Sequence, residues 1–172
     1  MALFTSSAAL NTFDDLFVEQ LQDLYDAEQR ITKALPKMAA AAHNSTLKSA
    51  FEEHLRQTQN QVKRLEQVFQ ILGKSASSKT CAGVKGIIEE GEEVVSGEGD
   101  PDVKDAGLIA AAQKVEHYEI CAYGTARTFA QRLGKSEAAR LLEETLAEEK
   151  ETDKKLNMLA EKAVNPKATT KR

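Results

Sequence analysis

The chain has no tryptophan, only three prolines and only two cysteines in 172 residues. Cys81 and Cys121 are too few for a disulfide framework or a thiolate metal site, and a reduced, cytoplasmic location is expected. No apolar run approaches the ~20 residues a membrane span requires. The N-terminus lacks the charged-then-apolar order of a secretory signal. Basic charge is not in excess: 23 Lys and Arg against 27 Asp and Glu leave a formal charge of -4, which argues against nucleic acid as a partner. Alternating Val, Ile and Thr runs are also missing. With Ala, Leu, Glu, Lys and Gln dominant, the composition is that of an all-helical protein.

Helical periodicity fills four long segments. The first opens after the capping pair Asn11 and Thr12 and runs to about Ala42, with a kink expected at Pro36. The second follows Asn44 and Ser45 and ends at Gly73. The third starts at Asp100 and Pro101 and ends at Gly134; the fourth runs from Ser136 to about Val164. Very short turns within the first and last pairs make each pair an antiparallel hairpin. Between the hairpins, residues 74–99 form a crossover with a short helix at about 84–95. The expected fold is therefore all-α, a ferritin-like antiparallel four-helix bundle over residues 11–164. Residues 1–10 are expected as a flexible N-terminus and 165–172 as a basic disordered tail.

The informative residues are the polar ones that interrupt apolar stripes. Steps of four and three give Phe17, Leu21, Leu24, Glu28, Ile31 and Leu35 on the first helix. The third gives Ile109, Ala112, Glu116, Glu119, Tyr123 and Ala126. On the fourth, two adjacent stripes share Glu149; one adds Thr145 and Thr152, the other Leu146 and Asp153. The second helix places His54 at the margin of its core face or just inside it.

Burying one carboxylate costs several kcal/mol unless it is paired, and several together repel one another. Protonation, pairing with Lys or Arg, or bound cations would each relieve the cost. No Lys or Arg falls on the central stripes, and two divalent ions would neutralise four carboxylates. The metal-site candidates are Glu28, His54, Glu116, Glu119, Glu149 and Asp153, a donor set suited to iron or manganese. Gln57 and Glu148 are secondary candidates, and His117 points off the stripe. Tyr25 and Tyr123, each one turn from a candidate glutamate, read as donors, electron relays or core packing; Cys121 reads as a small buried residue.

At these residues the chain resembles the YciE/YciF-type family of ferritin-like bacterial stress proteins. The matching stretches are Leu24 to Glu28, His54 and Leu55 with Thr58 and Gln61, Glu116 to Ile120, and Leu146 to Asp153. The resemblance implies a ferritin-like bundle, commonly a homodimer, with a di-metal site and a role in stress response. The chain departs from the broader di-iron pattern in lacking Glu-x-x-His on the second and fourth helices, and has Gln57 where the family favours Glu. The expected function is binding of two iron ions, or manganese, with ferroxidase-like consumption of dioxygen or peroxide. A non-enzymatic dimeric scaffold or interaction protein and a manganese catalase-like enzyme are the alternatives.

Overall fold

The computed structural model describes residues 10–170. Its main helices are α1 (Phe13–Ala41), α2 (Ser45–Ile71), α3 (Ala82–Ser96), α4 (Pro101–Arg132) and α5 (Ser136–Leu159). No strand occurs among the described residues, and no helix there is long and apolar enough to cross a membrane.

Local chemistry sets the helix limits. Thr12 and Asp15 form a reciprocal cap on α1, each side chain accepting the other's backbone N–H, at 3.0 and 2.9 Å. Asn44 Oδ1 accepts from the N–H of Thr46 and Leu47 at the start of α2, and Asp100 Oδ1 does the same for Asp102 and Val103 on α4. Gly73 (φ 66°) and Gly134 (φ 68°) end α2 and α4 in the left-handed region, where a side chain would be strained. Pro36 lies inside α1, which stays helical on both sides of it; the ring removes one backbone donor without ending the helix. Ser136 is the first residue of α5, and Lys135 before it supplies no side-chain cap.

The last helix does not give way to a tail at residue 165. A π-helical segment, Ala160–Val164, leads into α6 (Asn165–Ala168), and both pack against α4. Pro166 sits in the first turn of α6, where its missing N–H costs nothing, and Val164 is buried. Residues 1–9, 171 and 172 lie outside the described residues, and with them most of the expected N-terminal arm.

The ferritin-like bundle places α1 beside α2 and α4, and α5 beside α2 and α4. Paired side chains fix the directions. Phe13 meets Phe129 at one end of α1 and α4, while the backbone N–H groups of His43 and Asn44 reach Asp105 at the other. Those two helices are therefore antiparallel. The crossover must return along the full bundle, and α3 occupies that return path against α1 and α4. It is anchored where the Cys81 N–H donates to Asp26 Oδ2 (2.8 Å) and the Cys81 thiol meets the Tyr118 hydroxyl (3.0 Å).

The bundle interior is two apolar clusters. One gathers Phe17, Leu21, Leu65, Phe69, Ala126 and Leu142; the other Ile31, Leu35, Phe51, Leu108, Ile109 and Leu156. In sequence, each helix crosses from one to the other through a buried polar stretch: Glu28 on α1, His54 to Gln61 on α2, Glu116 and Glu119 on α4, Thr145 to Thr152 on α5. That polar layer is the candidate site.

Candidate metal centre

His54 from α2, Glu116 and Glu119 from α4, and Glu149 from α5 each bring one ligand atom within 4.8 Å of the others, and all four are buried. His54 Nδ1 lies 3.4 Å from Glu116 Oε1, and its Nε2 lies 3.7 Å from Glu149 Oε2. Glu28 stands beside this group on α1, fully buried, but outside the four-residue convergence. Its Oε1 accepts from the Tyr123 hydroxyl. Gln61 Nε2 donates to Glu149 Oε1, and to Glu148 Oε2 at 3.0 Å.

These bonds leave an unusual remainder. Nine buried side-chain polar atoms lack a hydrogen-bond partner among the described residues. All but Arg127 Nε belong to Glu28, His54, Gln61, Glu116, Glu119 and Glu149, and seven of them are acceptor oxygens. Buried polar groups are ordinarily paired, so one concentrated patch of acceptors calls for cations or protons. The carboxyls of Glu28, Glu116 and Glu119 are pushed well up from the ordinary range, first by burial and then by the negative charge of Glu149. For Glu28, the Tyr123 hydrogen bond and the Arg64 charge oppose that rise.

Four carboxylates carry enough charge to neutralise two divalent ions, and oxygen donors with one imidazole suit iron or manganese. The residues present therefore fit a metal.

The structure brings together Glu116, Glu119, Glu149 and His54, with Glu28 adjoining. Asp153 lies outside the four-residue convergence, though its charge still helps to raise the Glu116 carboxyl; it faces His117 Nε2 at 3.5 Å and accepts from Gln113 Nε2 at 3.3 Å. The core face of α5 uses the stripe through Thr145, Glu149 and Thr152, which turns Asp153 to the α4 flank. His117 is exposed, as its position off the stripe implied. Gln57 shares the lining of a small pocket with His54, Phe51, Glu53, Lys155 and Leu156.

Three expectations need correction or refinement. Cys121 is exposed, because it follows Glu119 by two residues and so faces nearly opposite the core; Cys81 is the buried thiol. Arg64, off the central stripe of α2, nevertheless reaches the layer's edge. It binds Glu148 through two contacts, 2.8 and 2.9 Å, and Thr145 Oγ1 at 2.6 Å. Pairing with Arg64 holds the Glu148 carboxyl below its ordinary range against the opposing effect of burial. Tyr25 donates to Glu66 (2.9 Å) and not to Glu28, so Tyr123 alone of the two tyrosines touches the layer.

Fold and site together define a ferritin-like helical bundle with an internal carboxylate–histidine cluster. The profile of the family described as a domain of unknown function (DUF892) matches residues 12–169, and the chain belongs to that family. Protein YciF of Escherichia coli (strain K12) is 47% identical over 163 residues, covering 94% of this chain and 98% of that protein. The crystal structure of the E. coli stress protein YciF aligns with a TM-score of 0.86 at 44% identity, over 94% of this chain and 99% of that one. YcfI from Rhodopseudomonas palustris aligns with a TM-score of 0.85 at 44% identity, over 88% of this chain and 96% of that one.

Proposed function

We propose that the protein binds two iron ions, with manganese as the competing metal, and acts as a ferroxidase-like protein under oxidative or related stress. The supporting observation is the patch of unpartnered acceptors from Glu28, Glu116, Glu119 and Glu149 beside His54. Its expected place is the cytoplasm, where ferrous iron is available. The stress-protein description of E. coli YciF supports the physiological context.

The chain's own residues prepare the donors. Tyr123 occupies one oxygen of Glu28 and Gln61 one oxygen of Glu149, leaving the second oxygen of each free to ligate. Such outer partners fix ligand orientation. His54 stands between Glu116 and Glu149, so one ring nitrogen can ligate while the other donates to a carboxylate. The two apolar clusters keep bulk water from the layer on both sides. Two Fe(II) ions held by these residues would supply one electron each, enough with two protons to reduce dioxygen to hydrogen peroxide.

The test is anaerobic titration of metal-free protein with Fe(II), followed by dioxygen. About two ions per chain should bind, and iron should oxidise faster than in buffer. A Glu116→Ala/Glu149→Ala double variant should lose both properties. Absence of iron binding in the parent overturns the reading.

A further inference from the structure

The crossover helix α3 does more than return the chain. Where it lies across α1 and α4 it roofs a cavity of about 30 Å³, walled by Ile31, Leu35, Ile88, Ala111 and Val115. His54 and Glu116 also line it, and both are buried, whereas Lys37 and Glu92 at its rim are exposed. The cavity thus runs from the protein surface to two members of the carboxylate–histidine cluster. Lys37 Nζ and Glu92 Oε1 lie 2.6 Å apart, an ion pair tying α1 to α3 at the outer end.

The walls decide what can occupy this space. They are aliphatic, and the only polar groups met beyond the rim are His54 and Glu116, whose unpartnered atoms are His54 Nε2 and both oxygens of Glu116. A water molecule, a hydrated cation or hydrogen peroxide would forfeit hydrogen bonds along the aliphatic stretch. A nonpolar diatomic forfeits none. The volume suits one: a single water needs roughly 10–15 Å³ by the same measure. Between the rim and those two residues the wall offers no carboxylate or imidazole, so this route favours the nonpolar reactant over the cations.

We propose that the α1–α3–α4 cavity is a binding site for dioxygen, delivering it to the carboxylate layer on the His54 and Glu116 side. Its purpose rests on the metal-binding reading above; its occupancy does not. Gly91 of α3 keeps the space open. A Cβ there would sit 3.6 Å from Ala111 Cβ, an ordinary contact, so larger side chains at either position fill the cavity from its walls.

The experiment has two arms. In the first, metal-free protein with labelled methyl groups is placed under dissolved dioxygen, and paramagnetic broadening is read by NMR. Ile31 and Leu35 in the cavity should broaden severalfold more than Leu21 and Leu142, which are equally buried in the other apolar cluster. Ala111→Leu, and separately Gly91→Val, should abolish that excess. In the second arm, iron-loaded protein is oxidised. Both variants should bind iron as the parent does, oxidise it severalfold more slowly with dioxygen, and retain the parent rate with hydrogen peroxide. Broadening no greater at Ile31 and Leu35 than at Leu21 and Leu142 overturns the proposal. So does an unchanged dioxygen rate in both folded variants. Failure of the parent to bind iron overturns the metal-binding reading instead, and the broadening arm then decides the cavity by itself.

Discussion

The hydroxyl of Tyr123 on α4 donates to Glu28 Oε1 on α1, joining two fully buried side chains at the border between an apolar cluster and the carboxylate layer. This bond is the partner the structure gives the Glu28 carboxylate, whose other oxygen has none. Tyr123→Phe keeps the ring and removes the donor. It should lower stability by about 1–2 kcal/mol, the usual cost of leaving a buried acceptor unpaired. A urea midpoint equal to that of the parent would show that the bond holds nothing.

The raised carboxyls of Glu28, Glu116 and Glu119 make the metal-free fold sensitive to pH. In the unfolded chain they titrate at about pH 4.3. Above that, and up to their raised native values, the folded protein holds more protons than the unfolded one, so stability falls as pH rises. Their contribution is fully present below the unfolded value and lost on passing the native ones. Glu148, held low chiefly by Arg64, acts in the opposite sense and loses its contribution in acid. Added Mn(II) competes with the protons and should stabilise more at higher pH. Melting curves from about pH 5 to about pH 8, with chelator and with Mn(II), should diverge progressively; parallel curves would refute this.

Glu119 offers a sharper separation of charge from fold. Glu119→Gln replaces a carboxyl that burial and Glu149 oblige to take up a proton on folding with an amide that needs none. The metal-free variant should be more stable than the parent at neutral pH by about 1 kcal/mol. At metal concentrations that saturate the parent a hundredfold, the parent gains about 2.7 kcal/mol, and the variant should gain clearly less. Calorimetry with and without Mn(II) measures both differences.

Arg64 should matter without being a ligand. Arg64→Ala leaves Glu148 beside the layer without its forked partner, and removes the positive charge that lowers the Glu28 carboxyl. A loss of about 1–3 kcal/mol is expected, with weaker metal binding. Arg64→Lys should recover only part, because an ammonium cannot reproduce the fork. Full recovery by Lys would contradict the two-contact geometry.

Asp105 is buried at the opposite end of α4 from Gly134, and its two oxygens accept the backbone N–H groups of His43 and Asn44, at 2.8 and 2.7 Å. Asp105→Asn replaces one acceptor with a donor facing an N–H. It should cost about 2 kcal/mol and speed hydrogen exchange in the α1–α2 turn. Unchanged exchange at those two amides would refute the capping role.

The sequence by itself determined the helices and the angular position of each polar interruption. Caps at Thr12, Asn44 and Asp100 are local bonds within three residues, and 3.6-residue periodicity places Glu28, Glu116, Glu119 and Glu149 on core-facing stripes without any knowledge of neighbours. Periodicity fixes rotation about a helix's own axis; it says nothing about how far one helix is shifted along another. Tertiary packing settled that shift, and with it which side chains meet. It joined Tyr123 to Glu28 across 95 residues, brought Arg64 to Glu148, and drew His54 inside while turning Asp153 aside. It also laid α3 over α1 and α4, so that a connecting segment became the roof of a cavity. Such contacts depend on the rigid placement of whole helices, which residues close in sequence cannot encode alone.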